Sequence, residues 1–262
     1  MNAPLVQIPA LPTTGQAEVI AALDTVAGEI AQALKAPPYY TLLRGASATE
    51  DRRLTVHFAR TLANMEPVRP DSTPESRQKI SFTQVRIDPE KAAGNAGSTS
   101  YSRTNKPLEL HTDSSYKRDP HELVAFQMVR ADMEGGDTIM MPVDRILNAL
   151  APEIRAVLSR PAFPFGKGPL PILWETDGVT RIRYYRSQID LSGGIDLPGE
   201  EKDAMAVLDE VIGREDLQDR FRIEPGDTLY MDNTRVLHGR TGFAPTSNRL
   251  MYRIRSHVGC LG

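Results

Sequence analysis

Apolar positions in the first quarter of the chain recur at the spacing of an α-helix. Between Gln16 and Leu34 they return every three or four residues, which predicts an amphipathic helix. The proline pair Pro37-Pro38 ends this pattern. A second helix is predicted over Ala48–Met65, because Ser47 and Glu50 have the spacing of a capping box at its start.

Most of the remaining chain consists of short β-rich runs separated by turn residues. The predicted strands are Tyr39–Leu43, Ile80–Ile87, Leu108–His111, Leu123–Val129, Asp137–Met141, Thr180–Tyr185, Asp227–Met231 and Arg249–Ser256. Two further predicted helices, Val143–Leu158 and Glu200–Ile212, interrupt them. Strand-like runs at this spacing favour a sandwich or barrel over alternating βαβ units.

Two segments lack a regular period. Residues 1–15 contain three prolines and are predicted to be an irregular lead-in. Gly94–Asn105 is the most loop-like stretch, and it comes shortly before the residues with the most distinctive chemistry. A loop in that place is either a lid over a site or an ordinary surface connection, and the sequence leaves both open.

The composition excludes several function classes. The chain has 262 residues with 31 Lys and Arg against 34 Asp and Glu, whereas a general nucleic-acid binder usually has a basic excess. No apolar run approaches the ~18 residues of a membrane span, and Met1–Val6 lacks the basic start of a secretory signal. The one cysteine, Cys260, excludes an intrachain disulfide and a Cys-rich zinc site. We therefore expect a soluble, cytoplasmic protein with neither nucleic-acid nor membrane partners.

Several common catalytic motifs are missing. Gly166-Lys167-Gly168 lacks the spacing of a phosphate-binding loop, His121-Glu122 lacks the second histidine of a zinc-protease helix, and no Gly-x-Ser-x-Gly elbow occurs. The segment His111-Thr112-Asp113 remains. Because residues i and i+2 of a strand point to the same face, this imidazole and this carboxylate could reach one metal ion.

A third ligand candidate, His238, lies 127 residues after His111. With His111 and Asp113 it makes a set of two histidines and one carboxylate, which suits Fe(II) that must bind a chelating cosubstrate and O₂. Arg249 and Arg253 follow on a predicted strand. Arginines placed there can hold a carboxylate by a two-pronged contact.

The sequence resembles the Fe(II)/2-oxoglutarate-dependent dioxygenases of the taurine dioxygenase and clavaminate synthase type. The similarity covers roughly residues 80–256 and is carried by Leu108–Asp113, Glu134–Thr138, Asp232–Phe243 and the Arg249/Arg253 pair. It implies a mainly β fold with flanking helices, namely a double-stranded β-helix or jelly roll. The chain would form a single domain, with residues 1–75 as a helical N-terminal elaboration and residues 80–256 as the jelly-roll core.

The resemblance also implies an active site. His111, Asp113 and His238 would bind Fe(II), with 2-oxoglutarate and O₂ as cosubstrates. Arg249 would pair with the distal carboxylate of 2-oxoglutarate, assisted by the hydroxyl of Thr138. The expected reaction is hydroxylation of an unactivated C–H bond.

Substrate contacts are predicted from the arginines. The resemblance implies that Arg253 meets an acidic group of the substrate, and Arg183 lies in a strand-like run rich in cations and aromatics. Together they indicate a small anionic or zwitterionic substrate, with a free amino acid or a natural-product intermediate as the leading hypothesis. The sequence leaves open whether the protein is a homo-oligomer.

Three alternatives stay open at this point. The same oxidant could drive desaturation, ring closure, or cleavage of a sulfonate or ether. The chain could instead be a non-catalytic, metal-containing jelly roll that binds a small molecule. Zinc hydrolase chemistry would need a general base, for which Glu109, two residues before His111, is the nearest carboxylate in sequence.

Overall fold

The computed structural model describes residues 3–9, 15–45, 52–64, 80–88, 101–258 and 261. Its strands are β1 Leu5–Gln7, β2 Tyr40–Arg44, β3 Ser81–Val85, β4 Leu108–His111, β5 Leu123–Arg130, β6 Thr138–Pro142, β7 Phe163–Pro164, β8 Pro169–Leu170, β9 Leu173–Thr176, β10 Val179–Ile182, β11 Asp219–Phe221, β12 Thr228–Asp232, β13 Val236–Arg240 and β14 Leu250–Ser256. Its α-helices are α1 Gln16–Lys35, α2 Arg53–Asn64, α3 Val143–Ala149, α4 Pro152–Leu158, α5 Arg186–Leu191 and α6 Gly199–Ile212. None of these helices combines the length and the apolar composition that crossing a lipid bilayer requires.

Two β-sheets form the centre of the fold. The larger sheet has the strand order β1-β2-β12-β5-β14-β3, and the smaller sheet has the order β11-β6-β13-β4. Residues of both sheets share one apolar cluster, which includes Phe126 of β5, Met140 of β6, Leu237 of β13 and Met251 of β14. The expectation of a mainly β protein with flanking helices is therefore confirmed.

The opposite face of the larger sheet is covered by α1 and α2. A second apolar cluster joins Leu123 and Ile254 of that sheet to Ile30, Leu34 and Phe58 of the helices. Because neighbouring residues of a strand alternate between faces, the positions on either side of Ile254 point between the two sheets. The helical periodicity from Gln16 onward thus reflects burial against this sheet, and the predicted first helix is confirmed.

Local structure departs from the prediction in the first strand and in the helical region after β6. The predicted irregular lead-in is wrong for Leu5–Gln7, which pairs in parallel with β2 as a three-residue edge strand. A single helix over Val143–Leu158 is also wrong: it divides into α3 and α4 around Leu150 and Ala151. Pro152 explains the break, since it has no N–H with which to continue the hydrogen bonds of α3.

The predicted strand Thr180–Tyr185 is too long. β10 ends at Ile182, and Tyr185 already serves as the residue that precedes the first turn of α5. The alternation of faces that a strand reaching Tyr185 would give to residues 183–185 therefore does not hold. The capping-box residues Ser47 and Glu50, and residues 94–100 of the predicted loop, lie outside the described residues.

Candidate metal centre

His111, Asp113 and His238 converge between the two sheets. His111 is the last residue of β4, and His238, in the middle of β13, is its direct partner across the strand pair. One ligand atom from each of the three side chains lies within 4.8 Å of the other two, and all three residues are buried. The imidazole rings are 4.3 Å apart between centroids, and Nε2 of His111 is 3.8 Å from Oδ1 of Asp113.

Asp113 reaches this cluster from a turn and not from the strand itself. The fully buried side chain of Asn233 clamps the turn: its Oδ1 accepts the N–H of Asp113 at 2.7 Å, and its Nδ2 donates to the carbonyls of Asp113 and His121, both at 2.9 Å. The N–H of Thr112 also donates to the carbonyl of Tyr184 at 2.8 Å. Sequence reasoning did not single out Asn233, because nothing in its local sequence marks a side chain that bonds a segment 120 residues away.

The protonation states of the cluster suit a divalent cation. Burial alone raises the pKa of Asp113, but the guanidinium of Arg253 and the adjacent imidazoles hold it well below its usual range. Burial, with His111 alongside, lowers the pKa of His238 to about 3, so this imidazole is neutral near pH 7. Nδ1 of His111 is 2.9 Å from the carbonyl of Glu109, a contact that leaves Nε2 as the free lone pair.

Two polar atoms of the cluster test its fit to a metal. Oδ2 of Asp113 and Nδ1 of His238 are buried, and neither has a hydrogen-bond partner among the described residues. Unpartnered buried acceptors are costly unless a ligand satisfies them. A buried donor set of two imidazoles and one carboxylate fits Fe(II), for which this combination is typical.

A cavity of about 450 Å³ opens on one side of the cluster, and we refer to it as the Arg249 cavity. Its lining includes Phe126, Thr138, His238, Arg249, Met251 and Arg253. Burial lowers the pKa of Arg249 to about 10, so it remains a cation at neutral pH. Among the described residues no carboxylate lies within 4 Å of it. The structure thus brings Thr138 and Arg249 together beside the candidate ligands.

A second cavity of about 520 Å³ lies on the other side and is called the Arg255 cavity. Its lining includes Asp113, Ser115, Tyr185, Gln188, Arg253 and Arg255. Arg253 lines both cavities, and its Nη1 donates to Oδ1 of Asp113 at 3.0 Å. Its position between the cavities means that Arg253 both holds the carboxylate of Asp113 and faces the space available to ligands.

Arg183 is not brought to the cluster and lines neither cavity. Its guanidinium stacks 4.5 Å from the ring centroid of Trp174 and donates to the carbonyls of Lys117 and Arg118 at 2.6 and 3.0 Å. These contacts fix the loop that follows Asp113. Because β10 ends at Ile182, Arg183 lies beyond the strand that the sequence predicted for it, and its side chain is directed elsewhere.

Glu109 does not supply a base to the cluster either. Its side chain is exposed, and its Oε1 accepts the backbone N–H of Ser187 at 3.0 Å. The pairing of β13 with β4 shifts register between His238 and Arg240, so β4 is not the regular strand that would place Glu109 and His111 on one face. The described residues therefore give no support to a hydrolase mechanism that uses Glu109.

A comparison with protein families decides the class of the molecule. The sequence profile described as "Taurine catabolism dioxygenase TauD, TfdA family" matches residues 15–165 and 167–255. The chain belongs to this family. The predicted resemblance and the predicted enzyme class, an Fe(II)/2-oxoglutarate-dependent dioxygenase, are thereby confirmed.

A curated relative adds an example of chemistry on an amino acid. An L-lysine 3-hydroxylase of Catenulispora acidiphila is 27% identical over 157 residues, which cover 53% of this chain and 41% of that protein. The matched part is thus less than half of the relative's length.

Solved structures resemble the fold of this chain over most of its length. An asparagine oxygenase with Fe(II), 3-hydroxyasparagine and succinate has a TM-score of 0.66 at 15% identity, covering 92% of this chain and 84% of that one. The non-heme iron oxygenase OrfP with Fe and alpha-ketoglutaric acid has a TM-score of 0.64 at 15% identity, covering 91% and 84%. Membership of the TauD/TfdA family bears out Fe(II) and 2-oxoglutarate as the predicted cofactors. The two solved neighbours, at 15% identity, show the fold.

Proposed function

We propose that the protein hydroxylates an unactivated C–H bond of a small anionic or zwitterionic molecule, using Fe(II), 2-oxoglutarate and O₂. A free amino acid or a related natural-product intermediate is the favoured substrate. The observation that carries the proposal is the buried cluster of His111, Asp113 and His238 beside a cavity that contains the cation of Arg249. Two similar proteins support an amino acid as the substrate class: the L-lysine 3-hydroxylase, and the asparagine oxygenase whose structure contains 3-hydroxyasparagine.

Each residue has a distinct part in this proposal. His111, Asp113 and His238 hold the metal, which supplies O₂ activation coupled to conversion of 2-oxoglutarate to succinate. Arg249 binds the distal carboxylate of 2-oxoglutarate by a charge-assisted contact, and Thr138 adds its hydroxyl on the same side. The walls of the cavities orient the target carbon and keep water away from it.

We also propose that the described chain is one domain built as a double-stranded β-helix. The strand orders of the two sheets are not sequential, and a shared apolar cluster lies between them. Such an arrangement is typical of a jelly roll, in which consecutive strands alternate between two sheets. In this view α1 and α2 are an N-terminal elaboration packed on the outside of the larger sheet.

An anaerobic titration tests the function directly. Fe(II) followed by 2-oxoglutarate is expected to produce a weak visible charge-transfer band with the wild-type protein. His111→Ala and His238→Ala should abolish the band, because each removes one of three metal ligands. Arg249→Ala should raise the 2-oxoglutarate concentration needed for the band by about tenfold or more, since it removes a charge-assisted contact.

Arg220→Ala is the matched control, because Arg220 lies on β11 and pairs with Glu215 at 3.6 Å. It should leave the band unchanged. Absence of the band in folded wild-type protein would contradict the proposal. Desaturation, ring closure or cleavage would use the same site, and mass analysis of the product distinguishes them from hydroxylation.

A further inference from the structure

The Arg255 cavity has an unusual balance of charge. Apart from His111, the ionisable side chains among its described lining residues include Asp113, Arg253 and Arg255. Asp113 is the one carboxylate among them, and it is a candidate metal ligand that already accepts a hydrogen bond from Arg253. Two cations therefore face the cavity. Asp113 balances the charge of Arg253, and the described lining contains no further carboxylate to balance the charge of Arg255.

Arg255 is the cation that has no carboxylate partner among the described residues. It lies two residues after Arg253 on β14, so both side chains leave the strand on the face that points between the sheets. Its Nη2 donates to the hydroxyl of Ser81 at 3.2 Å, and among the described residues no carboxylate lies within 4 Å of its guanidinium. Its Nε is buried without a hydrogen-bond partner in the same part of the chain. A half-buried guanidinium that lines a cavity and has no carboxylate partner in the described chain is suited to bind an anion.

The other polar groups of this cavity are neutral. The hydroxyl of Ser115 donates to Oε1 of Gln188 at 2.6 Å, and the ring of Tyr185 packs against His111 with 5.0 Å between centroids. These groups can bond an amino or a hydroxyl group, but none of them neutralises an ammonium or guanidinium. A basic side chain would lie next to Arg255 with like charge opposite like charge, which disfavours binding.

We propose that Arg255 is a specificity-determining residue that binds an acidic group of the substrate, so that the enzyme takes acidic amino acids or similar dicarboxylates and rejects basic ones. The inference rests on the function proposed above and narrows its substrate class. It also separates this chain from the relative named for the hydroxylation of lysine. Arg253 cannot take this role alone, because its Nη1 is already engaged by Asp113.

The test uses pairs of amino acids that differ in charge but hardly in shape. The anaerobic complex with Fe(II) and saturating 2-oxoglutarate is titrated with L-glutamate, L-glutamine, L-aspartate, L-asparagine and L-lysine, and the shift of the visible band reports binding. We expect at least one acidic member to bind about tenfold more tightly than its amide, and L-lysine to cause no shift. Turnover is followed separately by succinate release.

Variants connect the preference to one side chain. Arg255→Gln should remove the tenfold advantage of the acidic amino acid over its amide, whereas Arg255→Lys should retain part of it. Arg220→Gln makes the same exchange on β11, where Arg220 contacts Glu215, and should preserve the wild-type preference. In every variant the band formed with 2-oxoglutarate alone should persist.

The outcomes distinguish the two proposals. If folded wild-type protein gives no band, the proposed oxygenase function fails. If the band forms but neither acidic amino acid shifts it, if lysine shifts it more strongly, or if Arg255→Gln keeps the wild-type preference, the assignment to Arg255 is wrong while the oxygenase function stands.

Discussion

At the scale of single residues, Gly136 leaves the space that Arg249 occupies, and Gly135 allows a close approach to the backbone of Gly242. Gly136 has a φ of +77°, and a Cβ built on it would lie 3.2 Å from Nε of Arg249. A Cβ on Gly135 would lie 2.3 Å from the carbonyl oxygen of Gly242. The choice of residues in Glu134–Thr138 is thus restricted by two close contacts, one with the backbone of Gly242 and one with the guanidinium of Arg249. The hydroxyl of Thr138 is not the only feature of this segment that the site needs.

Gly136→Ala is expected to weaken binding of 2-oxoglutarate. The added methyl group displaces Arg249, and the left-handed backbone costs about 1–2 kcal/mol of stability for a residue with a Cβ. Gly178→Ala is the matched control: Gly178 has a φ of +73°, and its Cβ would meet nothing within 4 Å. Both variants should lose similar stability in denaturant unfolding, but only Gly136→Ala should raise the 2-oxoglutarate concentration that produces the visible band. Equal cosubstrate affinity in both variants would contradict this account.

The sequence predicts the types of the site residues better than their partners. His111, Asp113 and His238 are recognisable because metal ligands need particular side chains, and the structure places them together. The contact between Arg253 and Asp113 joins positions 140 residues apart, and no local pattern specifies it. Arg183 was misplaced for a related reason, since β10 ends at Ile182 and the guanidinium bonds the carbonyls of Lys117 and Arg118, which no local pattern specifies.

At the scale of elements, the site depends on where strands end. β4 ends at His111, two residues before Asp113. The turn between β12 and β13 carries Asn233, whose side chain bonds both the N–H and the carbonyl of Asp113. Helix α1 was predictable because its periodicity is local. The pairing of β1 with β2 was not, because a parallel three-residue edge strand derives its stability from a neighbour far along the chain.

Asn233→Ala should loosen the metal centre and destabilise the fold together. It leaves the N–H of Asp113 and the carbonyls of Asp113 and His121 without their buried partner, which costs about 2 kcal/mol or more. Fe(II) affinity should fall, because the backbone that presents Asp113 is no longer fixed. Asn64→Ala is the control, as Asn64 makes an exposed bond to the carbonyl of Arg60 within α2. Urea unfolding and Fe(II) titration measure the two effects, and wild-type Fe(II) affinity in Asn233→Ala would exclude a positioning role.

At the scale of the whole molecule, charge is distributed unevenly. The chain has a formal charge of −3, yet the described lining of the two cavities beside the candidate ligands includes four arginines, at positions 240, 249, 253 and 255. The composition of the whole chain therefore does not reveal this local excess of positive charge. Two of the four, Arg253 and Arg255, are alternate residues of β14 and therefore both face the space between the sheets.

The C-terminal segment is attached to the core by buried polar contacts that depend on pH. Glu122 is almost fully buried, and its Oε2 lies 3.0 Å from Nδ1 of His257 and accepts the N–H of Val258 at 3.3 Å. The hydrogen bond to Glu122 raises the pKa of His257, with Asp119 acting in the same direction and burial and Lys117 opposing it.

His257 should therefore stabilise the protein most in mildly acidic solution. A raised folded-state pKa means that this stabilisation is fully present below the ordinary pKa of about 6.5 and is lost as pH rises through the folded value. The difference in unfolding free energy between wild type and His257→Gln should shrink as the pH rises above about 6.5 and passes through the raised folded-state pKa. Glu122→Gln removes the carboxylate and should flatten the dependence, and NMR titration of His257 gives its pKa directly. A measured pKa at or below the ordinary value would show that Glu122 does not hold the C-terminal segment through a charged histidine.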